Sequence, residues 1–195
     1  MSTEHSVKVP LRAASESFYA EDILCTSLEV SSQLRVDVCF SPAWRKSAAP
    51  PLQPIRDLVT CVLQHKILPI SAGNHLFILE CIFSDDAEVC SLNERYRKRK
   101  KPTNVLSFAQ EDNFLKNKED GTPLLLGSVI LAYETIYREA EAAKKPFAHH
   151  CLHLLLHGIL HLVGFDHETA QQAQEMEALE RRVLATMSIP DPYII

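Results

Sequence analysis

The segment CLHLLLHGILHLVGFDH, residues 151–167, holds three histidines at a spacing that can do chemistry. His157 and His161 stand four positions apart in an apolar run that predicts a helix. A four-residue step overshoots one helical turn by about 40°, so both imidazoles leave from one face and can share one metal ion. Gly164 falls where a helix ends on a left-handed residue, and the reversal there returns His167 toward the same point. The set suits one divalent transition metal, with zinc the expected ion. Three neutral nitrogen ligands leave a position open for water, the arrangement of a catalytic rather than a structural zinc. Chance histidine pairs at this spacing are common on packed helices. The turn glycine and the third histidine lift this segment above them.

The pattern H-x3-H-x2-G-x2-H also matches the metzincin peptidases at every position but one. Their general-base glutamate would fall at Gly158, which has no side chain, so peptide hydrolysis would lack its proton acceptor. A metallopeptidase is therefore disfavoured. His153 lies about 80° around the helix from His161 and is a candidate partner of a ligand or of substrate, although a packed helix histidine explains it equally well. His149 and His150 are placed outside the site. Asp166, beside His167, is a candidate catalytic residue that can orient a ligand or accept a proton; a loop-capping role fits it as well.

A second feature is electrostatic. Residues 95–101 read RYRKRKK, six positive charges in seven positions, in a chain whose formal net charge is −5. The balance excludes a globally basic nucleic-acid binder, but a local basic stripe can still meet a polyanion. Arg95, Lys98, Arg99, Lys100 and Lys101 are candidate phosphate contacts, with a solvated surface as the plainer explanation. The six cysteines form no C-x-x-C pair and several lie in apolar runs, so they are expected to be reduced core residues of an intracellular, cytoplasmic protein. No apolar run reaches the ~18 residues of a membrane span, and no secretory signal pattern opens the chain.

These residues need a frame to hold them. Residues 1–33 lack sustained periodicity and are expected to be a poorly ordered extension, with a single domain over 34–195. LRVDVCF from Leu34 alternates as a strand; HLFILECIF (75–83), VLSF from Val105 and LLLGSVILA (124–132) are further strands. Helices are expected after Pro50-Pro51 through Leu63, from a cap at Ser84 or Asp85 past Tyr96, up to about Lys145, over about 147–163, and over about 168–187. Residues 110–123 are expected to be a loop. The fold class is α+β: a mixed sheet of about four strands with about five helices, stacked in two or three layers. The metal site sits on a helix in the C-terminal half and the turn that follows it.

Taken together, these motifs resemble the YbeY family of endoribonucleases. HGILHLVGFDH is similar to its H-G-x-L-H-L-x-G-[YF]-D-H motif, and LNERYRKRKKPTNVLSF (92–108) to its L-N-x-x-Y-R and T-D-V-L-S-F motif. MEALERRVL and the closing PDPY resemble its last helix and tail, so the likeness runs from about Leu34 to Tyr193. The resemblance implies a single-strand-specific, metal-dependent RNase in which metal-activated water attacks an RNA phosphodiester. It further implies a role in maturing the 3′ end of small-subunit rRNA and in ribosome quality control. The implied partners are the small ribosomal subunit or its assembly factors; a non-catalytic assembly factor with a structural metal is the other alternative. The resemblance assigns the metal to His157, His161 and His167. It makes Arg97 the cleft arginine, which could hold phosphate oxygens with a planar fork as charge builds on them. Asn104 and Ser128 stand where the family has Asp. Tyr96 and Phe108 could stack a base, though core positions suit both better.

Overall fold

The computed structural model describes residues 7–8, 23–46, 52–68, 70, 75–110 and 121–194. Its strands are β1 (Val7–Lys8), β2 (Leu24–Ser31), β3 (Leu34–Phe40), β4 (Phe77–Ser84), β5 (Val105–Ala109) and β6 (Leu124–Ala132). Its helices are α1 (Pro42–Lys46), α2 (Leu52–Gln64), α3 (Asp86–Arg97), α4 (Tyr133–Ala142), α5 (Phe147–Leu162) and α6 (Ala170–Thr186). The strands form one mixed sheet in the order β1-β5-β6-β4-β3-β2. The expected α+β class holds, with five strands of ordinary length, a two-residue sixth at one edge, and six helices among the described residues.

Alternation explains why the sheet is covered as it is. In β3, Leu34, Val36, Val38 and Phe40 are buried, and the residues between them are only partly so, one face turned to the core. In β5 and β6 both faces are covered. Val105, Val129 and Leu131 join the large core with α2, α5 and α6, while Leu106, Phe108 and Ile130 pack with Val89 and Leu92 of α3 on the opposite face. Burial on both faces is why LLLGSVILA is apolar on both sides of Gly127 and Ser128 rather than alternating. The result is three layers, with α3 on one side and α2, α5 and α6 on the other. β4 lies in the middle, parallel to both β3 and β6.

Three expectations change. The sequence places residues 24–31 in the extension, yet they form β2, paired antiparallel with β3 from Leu24↔Phe40 to Ser31↔Leu34. β2 is an edge strand with mostly exposed or half-buried side chains, so its sequence lacks the apolar alternation that reveals β3. The remainder of the expected extension, apart from β1, Ile23 and the turn at 32–33, lies outside the described residues. Second, not all cysteines are reduced: Cys25 and Cys39 face each other across the β2–β3 pair and form a disulfide. A cross-strand partner cannot be seen from spacing alone. Cys61, Cys81, Cys90 and Cys151 are free, and burial pushes the Cys81 and Cys151 thiols well above the usual range. Third, the strand and helix counts exceed those expected by β1, β2 and the short α1. Of the expected loop, residues 111–120 lie outside the described residues. No helix among the described residues is long and apolar enough to cross a membrane.

Candidate metal centre

α5 carries the first two histidines because it must lie close against β5 and β6. Gly158 makes that approach possible: a Cβ there would come 2.4 Å from Val129 Cγ1 and 3.0 Å from Ser107 Oγ. The Ser107 hydroxyl also donates to the Gly158 carbonyl at 3.0 Å. With Gly158 against the sheet, His157 and His161 share another face of the helix, and their Nε2 atoms stand 3.1 Å apart. The helix then ends as its glycine demands. Gly164 has φ +93°, its N–H donates to the His161 carbonyl, and the Phe165 N–H reaches back to the Leu160 carbonyl. This paired C-terminal closure reverses the chain. Three residues later His167 stands with its ring 5.3 Å from that of His157 and 5.0 Å from that of His161.

One nitrogen from each of the three rings lies within 4.8 Å of the others. Tetrahedral zinc at bonds of ~2.05 Å requires ligand nitrogens roughly 3.3 Å apart, so the 3.1 Å Nε2 pair is close to what an ion would impose. The donor set is chemically suitable as well. Burial first, then the neighbouring His157 and His167, lower the pKa of His161 to about 3, against smaller raising effects of Asp166 and the Phe165 backbone. A neutral imidazole is the form that binds metal.

Behind these rings lies Glu180 of α6, a residue the sequence analysis missed. It is fully buried. Its Oε1 lies 2.9 Å from His157 Nδ1 and its Oε2 3.0 Å from His153 Nε2; Oε2 also accepts a short hydrogen bond from the Tyr193 hydroxyl. Burial alone would raise its pKa. The hydrogen bonds and charge of His153 and His157 prevail and bring it down to about 2. A signal was present in the sequence: Glu180 shares the apolar face of α6 with Met176, Leu179, Val183 and Leu184, where a lone carboxylate needs a partner.

His157 and His167 open on a cleft of about 510 Å³, whereas His161 is buried and does not line it. Arg97, Arg99 and Lys101 line it from the end of α3 and the turn after it; Asn104, Glu139 and Tyr193 add further walls. The structure thus brings Arg97 to the same cleft as His153, His157 and His167 from 56 to 70 positions away in the chain. It also divides the basic run. Arg95 lies over the Tyr96 ring, the Lys98 ammonium donates to the Arg95 carbonyl, and Lys100 pairs loosely with Glu94; none of the three lines the cleft. One placement corrects the sequence reading. His150, expected outside, lines the cleft with its Nε2 2.9 Å from Glu139 Oε2. His149 lines a separate hollow between α2 and α5. Asp166 accepts from the His167 backbone N–H at 2.8 Å and is not a cleft-lining residue. Asn104 donates to Glu139 in the cleft, whereas Ser128 is buried in β6 and donates to Glu80. Tyr96 and Phe108 pack edge to face, with Phe108 fully in the core.

Comparison with known proteins decides the family. The model of the family described as Endoribonuclease YbeY matches residues 45–188. The chain belongs to the YbeY family. Proteins named Endoribonuclease YbeY from Chelativorans sp. (strain BNC1), Bradyrhizobium diazoefficiens and Rhodopseudomonas palustris are 50%, 51% and 49% identical to it. The matched stretches take in 59%, 57% and 59% of this chain and 69%, 61% and 60% of the relatives, so the chain spans about two thirds or less of their length. A solution structure of TM1509 from Thermotoga maritima matches 83% of the chain and 99% of its own, at 18% identity and a TM-score of 0.49.

Proposed function

We propose that this chain is a metal-dependent endoribonuclease that cuts single-stranded RNA and acts in rRNA processing. We place its substrate at the 3′ end of small-subunit rRNA, its wider role in ribosome quality control, and its location in the cytoplasm. The observation that carries the reading is the cleft itself: His157 and His167, which converge with the buried His161, line one wall, and Arg97, Arg99 and Lys101 line another. A metal donor set facing a cationic wall suits a phosphodiester better than a peptide. The Gly158 position points the same way, because a peptidase glutamate there would run into Val129 rather than reach the histidines.

His157, His161 and His167 would hold the ion, with zinc the proposed metal. When bound, the ion supplies a Lewis acid and lowers the pKa of water at its open position. The residues of the chain do the rest. Glu180 holds His157 by Nδ1. Arg97 can meet two non-bridging phosphate oxygens at once with its fork, which an ammonium cannot do. Arg99 and Lys101 hold the neighbouring backbone by charge, and His153, tied to Glu180, faces the strand from the histidine wall. Asp166 keeps the His167 turn in shape through the backbone N–H it accepts, and we assign it a positioning role.

The test is metal analysis of the purified protein together with cleavage of a defined single-stranded rRNA fragment before and after chelation. Close to one divalent ion per chain is expected, strongly reduced in His161→Ala, with cleavage lost on chelation and restored by metal. Equal metal content in wild type and His161→Ala would remove the site. For the partner, gradient sedimentation of cell extract at low salt should place the protein with small ribosomal subunits, and added salt should release it. Protein confined to the free fraction would reject that association.

A further inference from the structure

Glu180 is a carboxylate with no exposure to solvent, held on the core face of α6 among Met176, Leu179, Val183 and Leu184. A charge in that position is costly unless each lone pair finds a donor. Three donors reach it from two directions. His157 and His153 come from α5, one on each oxygen. The Tyr193 hydroxyl comes from the tail. The tail is itself fastened: Arg181 donates to Asp191 at 3.1 Å and lies 4.7 Å over the Tyr193 ring, and the Lys145 ammonium donates to the Pro192 carbonyl.

The contact with His157 has a chemical consequence. A carboxylate only accepts, so the proton of a neutral His157 must sit on Nδ1. Nε2 is then the unprotonated nitrogen, and it is the nitrogen that stands 3.1 Å from His161 Nε2. A carboxylate behind a ligand imidazole also fixes the ring and raises its basicity.

We propose that Glu180 is the positioning residue of the metal centre, selecting the His157 tautomer that presents Nε2 to the ion and linking the C-terminal tail, through Tyr193, to metal affinity. The role rests on the metal-binding reading given above. Glu180 acts on the site through His157, whose Nδ1 it holds at 2.9 Å. The tail is thereby part of the site.

Zn2+ affinity, measured by competition with a chromophoric chelator, is the primary readout. Glu180→Gln has no charge and can accept from only one of the two histidines through its single carbonyl; it should bind Zn2+ about 10- to 100-fold more weakly. Tyr193→Phe should lose a smaller factor. Long-range proton–nitrogen spectra of the metal-free protein give the second readout. His157 should be the Nδ1-protonated tautomer in wild type and a mixture in Glu180→Gln, a change that mere loss of packing would not produce selectively. Wild-type affinity and an unchanged tautomer in a folded Glu180→Gln protein would overturn the proposal. If that variant does not fold, Glu180→Asp and Tyr193→Phe carry the same test, and wild-type affinity in both overturns it. Failure of wild type to bind any divalent ion would be a different result, rejecting the metal centre itself.

Discussion

Arg97 and Lys100 carry the same charge three positions apart and occupy different surroundings. Arg97 lines the cleft; the Lys100 side chain is 80% exposed and 3.9 Å from Glu94. At saturating RNA, Arg97→Ala should therefore abolish most cleavage with metal content intact, Arg97→Lys should recover part of it, and Lys100→Ala should turn over as wild type does. Equal turnover in Arg97→Ala and Lys100→Ala would reduce Arg97 to one surface charge among six. A second prediction concerns acid. In the folded metal-free protein the pKa of His161 is about 3, against 6.5 for a free histidine, so below 6.5 the unfolded chain takes up a proton that the native state refuses. The contribution of a neutral His161 is whole above 6.5 and is lost as pH falls toward 3. Glu180 acts in the same sense lower down: its stabilisation is whole above 4.5 and is lost as pH falls toward 2. Urea titrations of metal-free protein should show stability falling across this range. His161→Gln should flatten the upper part of the slope, and parallel curves would contradict the assignment. At this scale the ligands were legible because their partners lie within eleven positions and the helix repeat fixes their direction. Glu180 and His150 were not, because what each touches lies on another helix.

Elements were legible in proportion to how one-sidedly they are buried. β3 announced itself by alternation, β6 by its apolar run after the polar stretch 110–123, α2 by its apolar repeat, and α3 by the capping Asp85, whose side chain accepts from the Glu88 N–H. β2 did not, since its pairing with β3 rather than its own side chains defines it. The seam between α5 and the sheet is the most demanding element contact. Three side-chain atoms, from Val129, Ser107 and Val105, lie within 3.2 Å of where a Gly158 Cβ would stand. Gly158→Ala should cost about 1–3 kcal/mol by overpacking and push α5 off the sheet, displacing His157 and His161 together. Chemical unfolding of the metal-free variant reads the first effect and Zn2+ affinity the second. A variant as stable as wild type would show that the seam is looser than these distances imply.

Across the whole molecule, charge is the property that composition reports and the fold redistributes. The chain is net negative, yet Arg97, Arg99 and Lys101 converge on one cleft while Arg95, Lys98 and Lys100 do not. The run was visible in the sequence; the division within it required the left-handed turn at Lys98, where φ is 58°. RNA binding should weaken with salt, and removing Arg99 or Lys101 should lower the slope of log affinity against log salt by about 0.7 each on a single strand, while removing Lys98 should leave it nearly unchanged. Equal slopes for all three would mean that the cleft does not select among these charges. A last consequence follows from the single tryptophan. Trp44 is fully buried, donates to the Ser84 carbonyl at 2.6 Å, and touches rings from β4, α4 and α5: Phe83, Tyr133 and Phe147. It is therefore a built-in optical reporter. Its emission registers whether three separate elements have met, and it takes no part in lining the cleft. A variant that goes silent in catalysis while its fluorescence stays blue has lost chemistry; one whose emission shifts red has lost the architecture that held the chemistry in place.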